Sequence, residues 1–550
     1  MAAIRSKQHP YQRSLGLCLI AVLTFAALVF SPAGVPASAA ENPVYPVSGF
    51  FVKASTSDSV NTQKLQTIKA VGADTVITFG SRLTPSTLAG VPADCQLGGV
   101  NCVQAALMGV VLNRVFTYAD SNPWGAPAVQ CPRDRSITNN NKLFTVLVLP
   151  TTGSGCYAWN NRYDVVVVSG GNAPGGNATG SLARAATAQG MNFYAGMPIP
   201  ANRADLGYLP DLSYQDTFRL FTDRYLQYHA AANNVAGLTG FYLPTEMPLS
   251  DAAIFDSVLT VYRIQNQAIR WFLPTRAAVV SPYIDARTAA PGRITPAQAQ
   301  VAARNIALTA SGLRLNIAVQ DGMGTGKGGA FFGNEANAAV DQYAAAIVGG
   351  GSWGSKYLAP NRDYFQAAAA GVAGTGATLW ANMEGMAPAN GTNPCDANLR
   401  GQTTKGRIDR QLQQMSNAPS KIISFMWDTY YTCTGTGVPL VRQLQDGKAT
   451  PIVTNSSFDT ASGSLLVTGF NLSGATIELR WTTATGLMQS KTVAASSYNP
   501  WFGQERGLNP ALQRIYANVG GTSLGWGKYY MVKVTNTWGA TNPFYSNPGF

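Results

Sequence analysis

The sequence predicts an α/β protein: a (β/α)8 TIM barrel with a C-terminal immunoglobulin-like β-sandwich. Three observations predict it. Apolar strand-like runs alternate with helix-like segments from residue 45 to about 445, and eight such runs can be counted. Strand–helix alternation means a parallel sheet, and eight repeats close it into a barrel. No Gly-x-Gly-x-x-Gly follows the first run, which argues against an open dinucleotide-binding sheet. After about residue 450 the texture becomes one of short strands and Gly/Asn/Ser turns, the pattern of a β-sandwich.

Taken in order, residues 1–40 read as a signal peptide. Arg5, Lys7 and Arg13 make a basic front, Leu15–Phe30 an apolar core, and Ala37-Ser38-Ala39 a small-x-small cleavage pattern. The barrel, 41–448, opens with a strand at Tyr45–Ala54, a helix at Asn61–Val71 and a second strand at Thr75–Phe79. Residues 84–185 are rich in Gly, Pro and Asn, carry four cysteines, and read as a disulfide-rich insertion. The remaining strands are expected at Met191–Met197, Leu238–Pro244, Ala277–Tyr283, Leu315–Gln320, Ala377–Met383 and Lys421–Trp427. Helices are expected at Tyr214–Asn234, Phe255–Phe272, Pro296–Ala310, Ala336–Val348, Tyr364–Val372, Lys405–Met415 and Val438–Leu444. Thr295 suits an N-cap, with Pro296 at the first helical position. Residues 449–550 form the sandwich, whose Trp481, Trp501, Trp526 and Trp538 read mainly as packing residues.

Composition narrows the function. Apart from Cys18, which falls in the leader, six cysteines remain. An even number in an exported chain suggests disulfides, and pairing of sequence neighbours gives 95–102, 131–156 and 395–433. With no CxxC and one histidine, His229, outside the leader, a zinc site is not expected. The same scarcity argues against Ser-His-Asp and Cys-His devices, and there is no HExxH. The net charge of +12 falls to +9 without the leader. Its basic residues are scattered singly, which speaks against nucleic acid and fits retention on an anionic cell wall. No later run is long and apolar enough to cross a bilayer. The segment Asp321-Gly-Met-Gly-Thr-Gly-Lys-Gly328 fails as a phosphate loop. Asp321 stands where its first Gly belongs, and Gly328 where Ser or Thr is needed.

Barrel active sites lie at the C-terminal ends of the strands. Beyond the leader there are six glutamates, and two of them, Glu246 and Glu384, immediately follow the fourth and seventh strands. Paired carboxylates at a barrel mouth suit glycosidic cleavage: one protonates the leaving oxygen, and the other attacks the anomeric carbon or activates water. Unequal environments would raise one pKa and leave the other low. Tyr242, Tyr283, Asp285, Gln320, Asp321, Asn382, Trp427 and Asp428 are the expected substrate-binding residues, with Trp427 as a stacking platform.

The segments FYLPTEMP, SPYIDAR and NIAVQDGMG resemble a bacterial barrel family of glycoside hydrolases of unassigned specificity. The likeness covers roughly residues 45–445. With the strand-end glutamates, it places the chain near the retaining barrel glycosidases. It implies Glu246 as acid/base and Glu384 as nucleophile. The expected substrate is an extracellular or cell-wall polysaccharide or oligosaccharide, and no cofactor is expected. Thr245 departs from the pattern, which has Asn before the acid/base to contact the sugar 2-hydroxyl. The alternative is a non-catalytic carbohydrate-binding or cell-wall-associated protein on the same scaffold.

Overall fold

The computed structural model describes residues 42–547 apart from 173–175, 397–399, 436 and 521–525. The expected leader lies outside the described residues. The described residues from Pro43 onward form one compact unit.

Eight parallel strands close into a barrel: β1 (Gly49–Phe51), β2 (Thr75–Ile77), β3 (Asn192–Gly196), β4 (Leu238–Leu243), β5 (Ala277–Val280), β6 (Leu315–Gln320), β7 (Thr378–Glu384) and β8 (Lys421–Phe425). Each pairs with its sequence neighbours, and β8 returns to β1 with Gly49 opposite Ile423. The helices alternate with them: α1 (Asp58–Ala70), α2 (Ala178–Gln189), α3 (Gln215–Ala232), α4 (Asp256–Phe272), α5 (Pro296–Ala307), α6 (Asn361–Val372), α7 (Lys405–Gln414) and α8 (Leu440–Asp446). Thr295 caps α5 in a reciprocal box with Gln298.

Side-chain alternation along the strands divides the core. Phe51, Ile77, Tyr194, Tyr242, Val279, Ala318, Trp380 and Ile423 fill the barrel interior. Their neighbours Phe50, Val76, Phe193, Phe241, Val280, Ile317, Ala381 and Ile422 face the helices. The barrel is therefore a packed core and not a pore. Near its rim, backbones approach so closely that a Cβ on Gly80 would lie 1.8 Å from the Met197 carbonyl oxygen.

Much of the segment read as a disulfide-rich insertion folds as a sheet. Leu83–Ser86, Val111–Ala119, Arg162–Asn172, Lys142–Pro150 and Arg135–Asn139 form a five-stranded mixed sheet in that order. One face packs Val115, Val146, Val148 and Val165 over the Cys95–Cys102 bridge. The other puts Phe116, Tyr118 and Leu147 into the main core. Its apparent final residues belong instead to α2, an alanine-rich barrel helix capped by Asn177. Cys131–Cys156 and Cys395–Cys433 are the other two disulfides.

Residues 452–547 form two four-stranded antiparallel sheets. They share a core that includes Val467, Leu479, Trp481, Ile515, Tyr530 and Val532. Phe332, from the loop after β6, is buried in that same core, edge-on to Tyr545 at 5.0 Å. Among the described residues, no helix is long and apolar enough to cross a membrane.

Candidate active site

The C-terminal ends of the strands surround a cleft of ≈ 300 Å³. β7 ends on Glu384, and Glu246 lies three residues beyond the end of β4. Both glutamates line the cleft, as do Tyr242, Tyr283, Gln320 and Asn382. Tyr283 is carried there by single parallel bridges to Pro248 and Gln320, which extend the ladder past β5. Asn382 donates to Ser281 Oγ at 2.9 Å, which fixes its amide within the wall.

Glu384 is held by the loop after β6. The Thr325 backbone N–H donates to Oε2 at 2.6 Å and the Thr325 hydroxyl to Oε1 at 3.2 Å. Gly324 makes that approach possible, since a Cβ there would sit 2.7 Å from Glu384 Cβ. From behind, Gln411 donates to the Glu384 carbonyl at 3.0 Å. Burial raises the Glu384 pKa, while the Thr325 donors and the charges of Lys327 and Arg400 oppose the rise.

Asp321 lies beneath the cleft, fully buried, and does not face it. Its Oδ1 accepts from the Met323 N–H at 3.0 Å and the Glu384 N–H at 3.4 Å. Its Oδ2 has no partner among the described residues. Burial and the neighbouring Glu384 charge push Asp321 well above the usual carboxylate range. Burial raises both acids, and the Thr325 donors that oppose the rise act on Glu384 alone.

Glu246 is exposed at the rim. The concave walls still replace much of its bulk water, and this desolvation raises its pKa. A hydrogen bond from Gln320 Nε2 to Oε1 at 3.0 Å and the charge of Lys327 pull the other way. The expectation of one raised and one low pKa is thus corrected: both are raised. Exposure and hydrogen bonding separate the glutamates: Glu384 is buried with two donors, and Glu246 is exposed with a single side-chain amide.

Three other expected residues fall outside the cleft lining. Asp285 is paired with Arg287 at 2.6 Å. Trp427 is 3% exposed and packs edge-on against Phe50 at 4.9 Å, so it offers no platform. Asp428 bonds Lys64 at 2.5 Å and the Lys53 N–H at 2.6 Å. The cause is the wide helical turn Trp427–Tyr431 that follows β8. It sends Trp427 outward and brings Tyr430 into the cleft, where its hydroxyl donates to Asp396 at 2.6 Å.

Sequence reasoning missed several lining residues. Phe79 is 44% exposed and stacked on Phe51 at 4.9 Å; it ends the expected second strand, a position that could have marked it. Thr325 and Lys327 lie in the glycine-rich loop already noticed for its composition, and Lys327 Nζ stands 4.1 Å over the Tyr283 ring. Asp396 and Arg400 come from a loop tied down by Cys395–Cys433, and nothing local marks them. His229 is buried in α3, where burial lowers its pKa to about 3. Among the described residues, no group of three or more His, Cys, Asp or Glu side chains could hold a metal ion.

No family model matches the chain, and no curated protein matches it. Solved structures do. A candidate alpha-L-fucosidase of Bacteroides thetaiotaomicron VPI-5482 aligns with a TM-score of 0.42 at 15% identity, over 77% of this chain and 97% of that one. Bacteroides uniformis beta-glucuronidase 2 aligns with a TM-score of 0.33 at 8% identity, over 92% of this chain and 46% of that one. A carbohydrate acetylesterase of Xanthomonas citri aligns with a TM-score of 0.24 at 9% identity, over 87% and 81%. These likenesses are distant, and a shared fold does not fix an activity.

Proposed function

We propose that this chain is a secreted retaining glycoside hydrolase of an extracellular or cell-wall polysaccharide, with Glu246 as acid/base and Glu384 as nucleophile. The observation that carries this reading is one cleft lined by two strand-end glutamates with unequal hydrogen bonding. Protonated Glu246 gives its proton to the glycosidic oxygen, and the C1–O bond breaks with its electron pair leaving on that oxygen. A Glu384 carboxylate oxygen bonds C1 from the opposite face. Water, deprotonated by Glu246, then displaces Glu384 and restores both groups. Desolvation raises the Glu246 pKa, which favours its acid form, and the Thr325 donors favour the Glu384 carboxylate. Phe79 supplies an aromatic face for sugar C–H groups. The three disulfides suit export, and we take the paired C-terminal sheets as an immunoglobulin-like domain.

The test is reducing-sugar release from bacterial cell-wall and plant polysaccharides by wild type and by Glu384→Gln. Release by wild type that drops by orders of magnitude in the variant is expected; equal release by both would sink the assignment. Proton NMR of the first-formed anomer should show retention.

A further inference from the structure

Glu246 stands on a divide. On one side is the cleft that also holds Glu384. On the other is a second cavity, ≈ 350 Å³, lined by Arg82, Asn202 and Tyr208 and sharing Glu246, Tyr283 and Lys327 with the first. Glu384 lines the first cavity and does not line the second.

The wall of the second cavity is built in place. Arg82 Nη1 donates to the Pro200 carbonyl at 2.8 Å and to the Asn202 side chain. Asn202 in turn donates to the Gly207 carbonyl. The Arg203 N–H donates to the Leu209 carbonyl at 2.8 Å, closing the loop, and Arg203 pairs with Asp205 at 2.5 Å. This framework presents Tyr208, 59% exposed, along the cavity.

Resting on the glycosidase reading above, we infer that the second cavity is the leaving-group subsite and that the leaving group is itself a sugar. A general acid must touch the departing oxygen, while the anomeric carbon must reach the nucleophile. The sugar that becomes attached to Glu384 therefore occupies the first cavity. The group that departs with the oxygen lies across Glu246, in the second. A volume of this size, with Arg82, Asn202, Thr245 and Lys327 set beside the Tyr208 ring, suits a ligand rich in hydroxyls. Arg82 and Asn202 offer polar contacts to hydroxyls, and Tyr208 offers a ring face to a pyranose. The substrate class is then a glycan cut between two sugars, in contrast to a glycoside with a small or apolar aglycone. When Glu246 has protonated the oxygen and C1 has passed to Glu384, the departing sugar leaves this cavity with a new hydroxyl. A second sugar entering before water can take the glycosyl group back.

The experiment compares two leaving groups on one glycone. Glycosyl fluorides of the common hexoses, pentoses and uronic acids are screened first; fluoride is too small to occupy the second cavity. The accepted fluoride is then compared with an oligosaccharide of the same sugar, using wild type, Tyr208→Ala, Tyr208→Phe and Glu384→Gln. Tyr208→Ala should lower kcat/KM on the oligosaccharide about tenfold and leave fluoride turnover unchanged. Tyr208→Phe should behave as wild type, because the ring face remains. Equal loss on both substrates in Tyr208→Ala, or loss on neither, would overturn the subsite while leaving the glutamate roles intact. Full activity of Glu384→Gln on both substrates, or no turnover of any fluoride by wild type, would overturn the glycosidase reading beneath it.

Discussion

The two glutamates differ less in burial-driven pKa direction than in what donates to them, so single donors are the levers to test. Gln320 donates to Glu246 and favours its ionised form. Removing that donor in Gln320→Met raises the Glu246 pKa, so the alkaline limb of the kcat/KM profile should move to higher pH. The move is modest, because solvent screens a carboxyl at the rim. Thr325→Val removes one donor from buried Glu384 and keeps the backbone N–H. The Glu384 pKa rises, so the acid limb should also move to higher pH, and kcat/KM at the optimum should fall about tenfold. If each variant shifts both limbs together, the two glutamates do not have separate roles. Asp321 offers a stability test of the same electrostatics. A carboxyl held above its unfolded value binds its proton more tightly in the folded state. Its stabilising effect is whole below the unfolded pKa, about 3.9, and is lost as pH rises through the folded value. Asp321→Asn carries no such dependence, so its Tm minus that of wild type should grow between pH 4 and pH 8. A difference that stays flat or shrinks over that range would mean that Asp321 is ionised.

At the scale of elements, the cleft depends on loops that the strands do not specify. The loop bearing Asp396 and Arg400 is fastened by Cys395–Cys433, which closes a 38-residue separation. Chain entropy for a loop of that length is worth about 3–4 kcal/mol. Cys395→Ala with Cys433→Ala should lower Tm and, through the freed Asp396–Tyr430 contact, raise KM more than it lowers kcat. An unchanged KM would show that this loop takes no part in binding. These loops also mark where the sequence stopped being readable. All eight barrel strands were legible, because strands buried on both faces read as continuous apolar runs bounded by breakers. The glutamates were legible because they sit at strand ends in a glutamate-poor chain. Helix α2 was not: its alanines follow a Gly/Asn-rich stretch and give little amphipathic contrast. Trp427 misled because strand alternation was extended two residues past Phe425, where the chain has already turned into a helix. Arg400 and Asp396 reach the cleft by tertiary routing alone, which no local pattern records.

For the whole molecule, the question is whether the C-terminal sheets are an appendage or part of the body that supports the barrel. Phe332 is fully buried among sheet residues, with the Arg410 guanidinium 4.0 Å over its ring. Arg362 of α6 donates to the Tyr545 hydroxyl, and Ser546 donates to Asn334 at 2.6 Å. Asn417, just past α7, donates to Thr468 at 2.9 Å. The Phe332 and Asn334 contacts belong to the loop after β6, which also carries Thr325 and Lys327 to the cleft. Removing residues 450–550 would bare Phe332 and leave the polar groups of α6 and α7 without these partners. An exposed aromatic set among unpaired polar groups favours association. The truncated protein should therefore have a lower Tm, elute partly as aggregate in size-exclusion chromatography, and lose glycan turnover along with Tm. A truncated barrel with wild-type Tm and activity would make the sheets a separable appendage. Phe332→Ala in the full chain narrows the cause. It removes one buried ring at a cost of about 3–5 kcal/mol, and it should weaken turnover only if the loop after β6 transmits the loss to Thr325 and hence to Glu384.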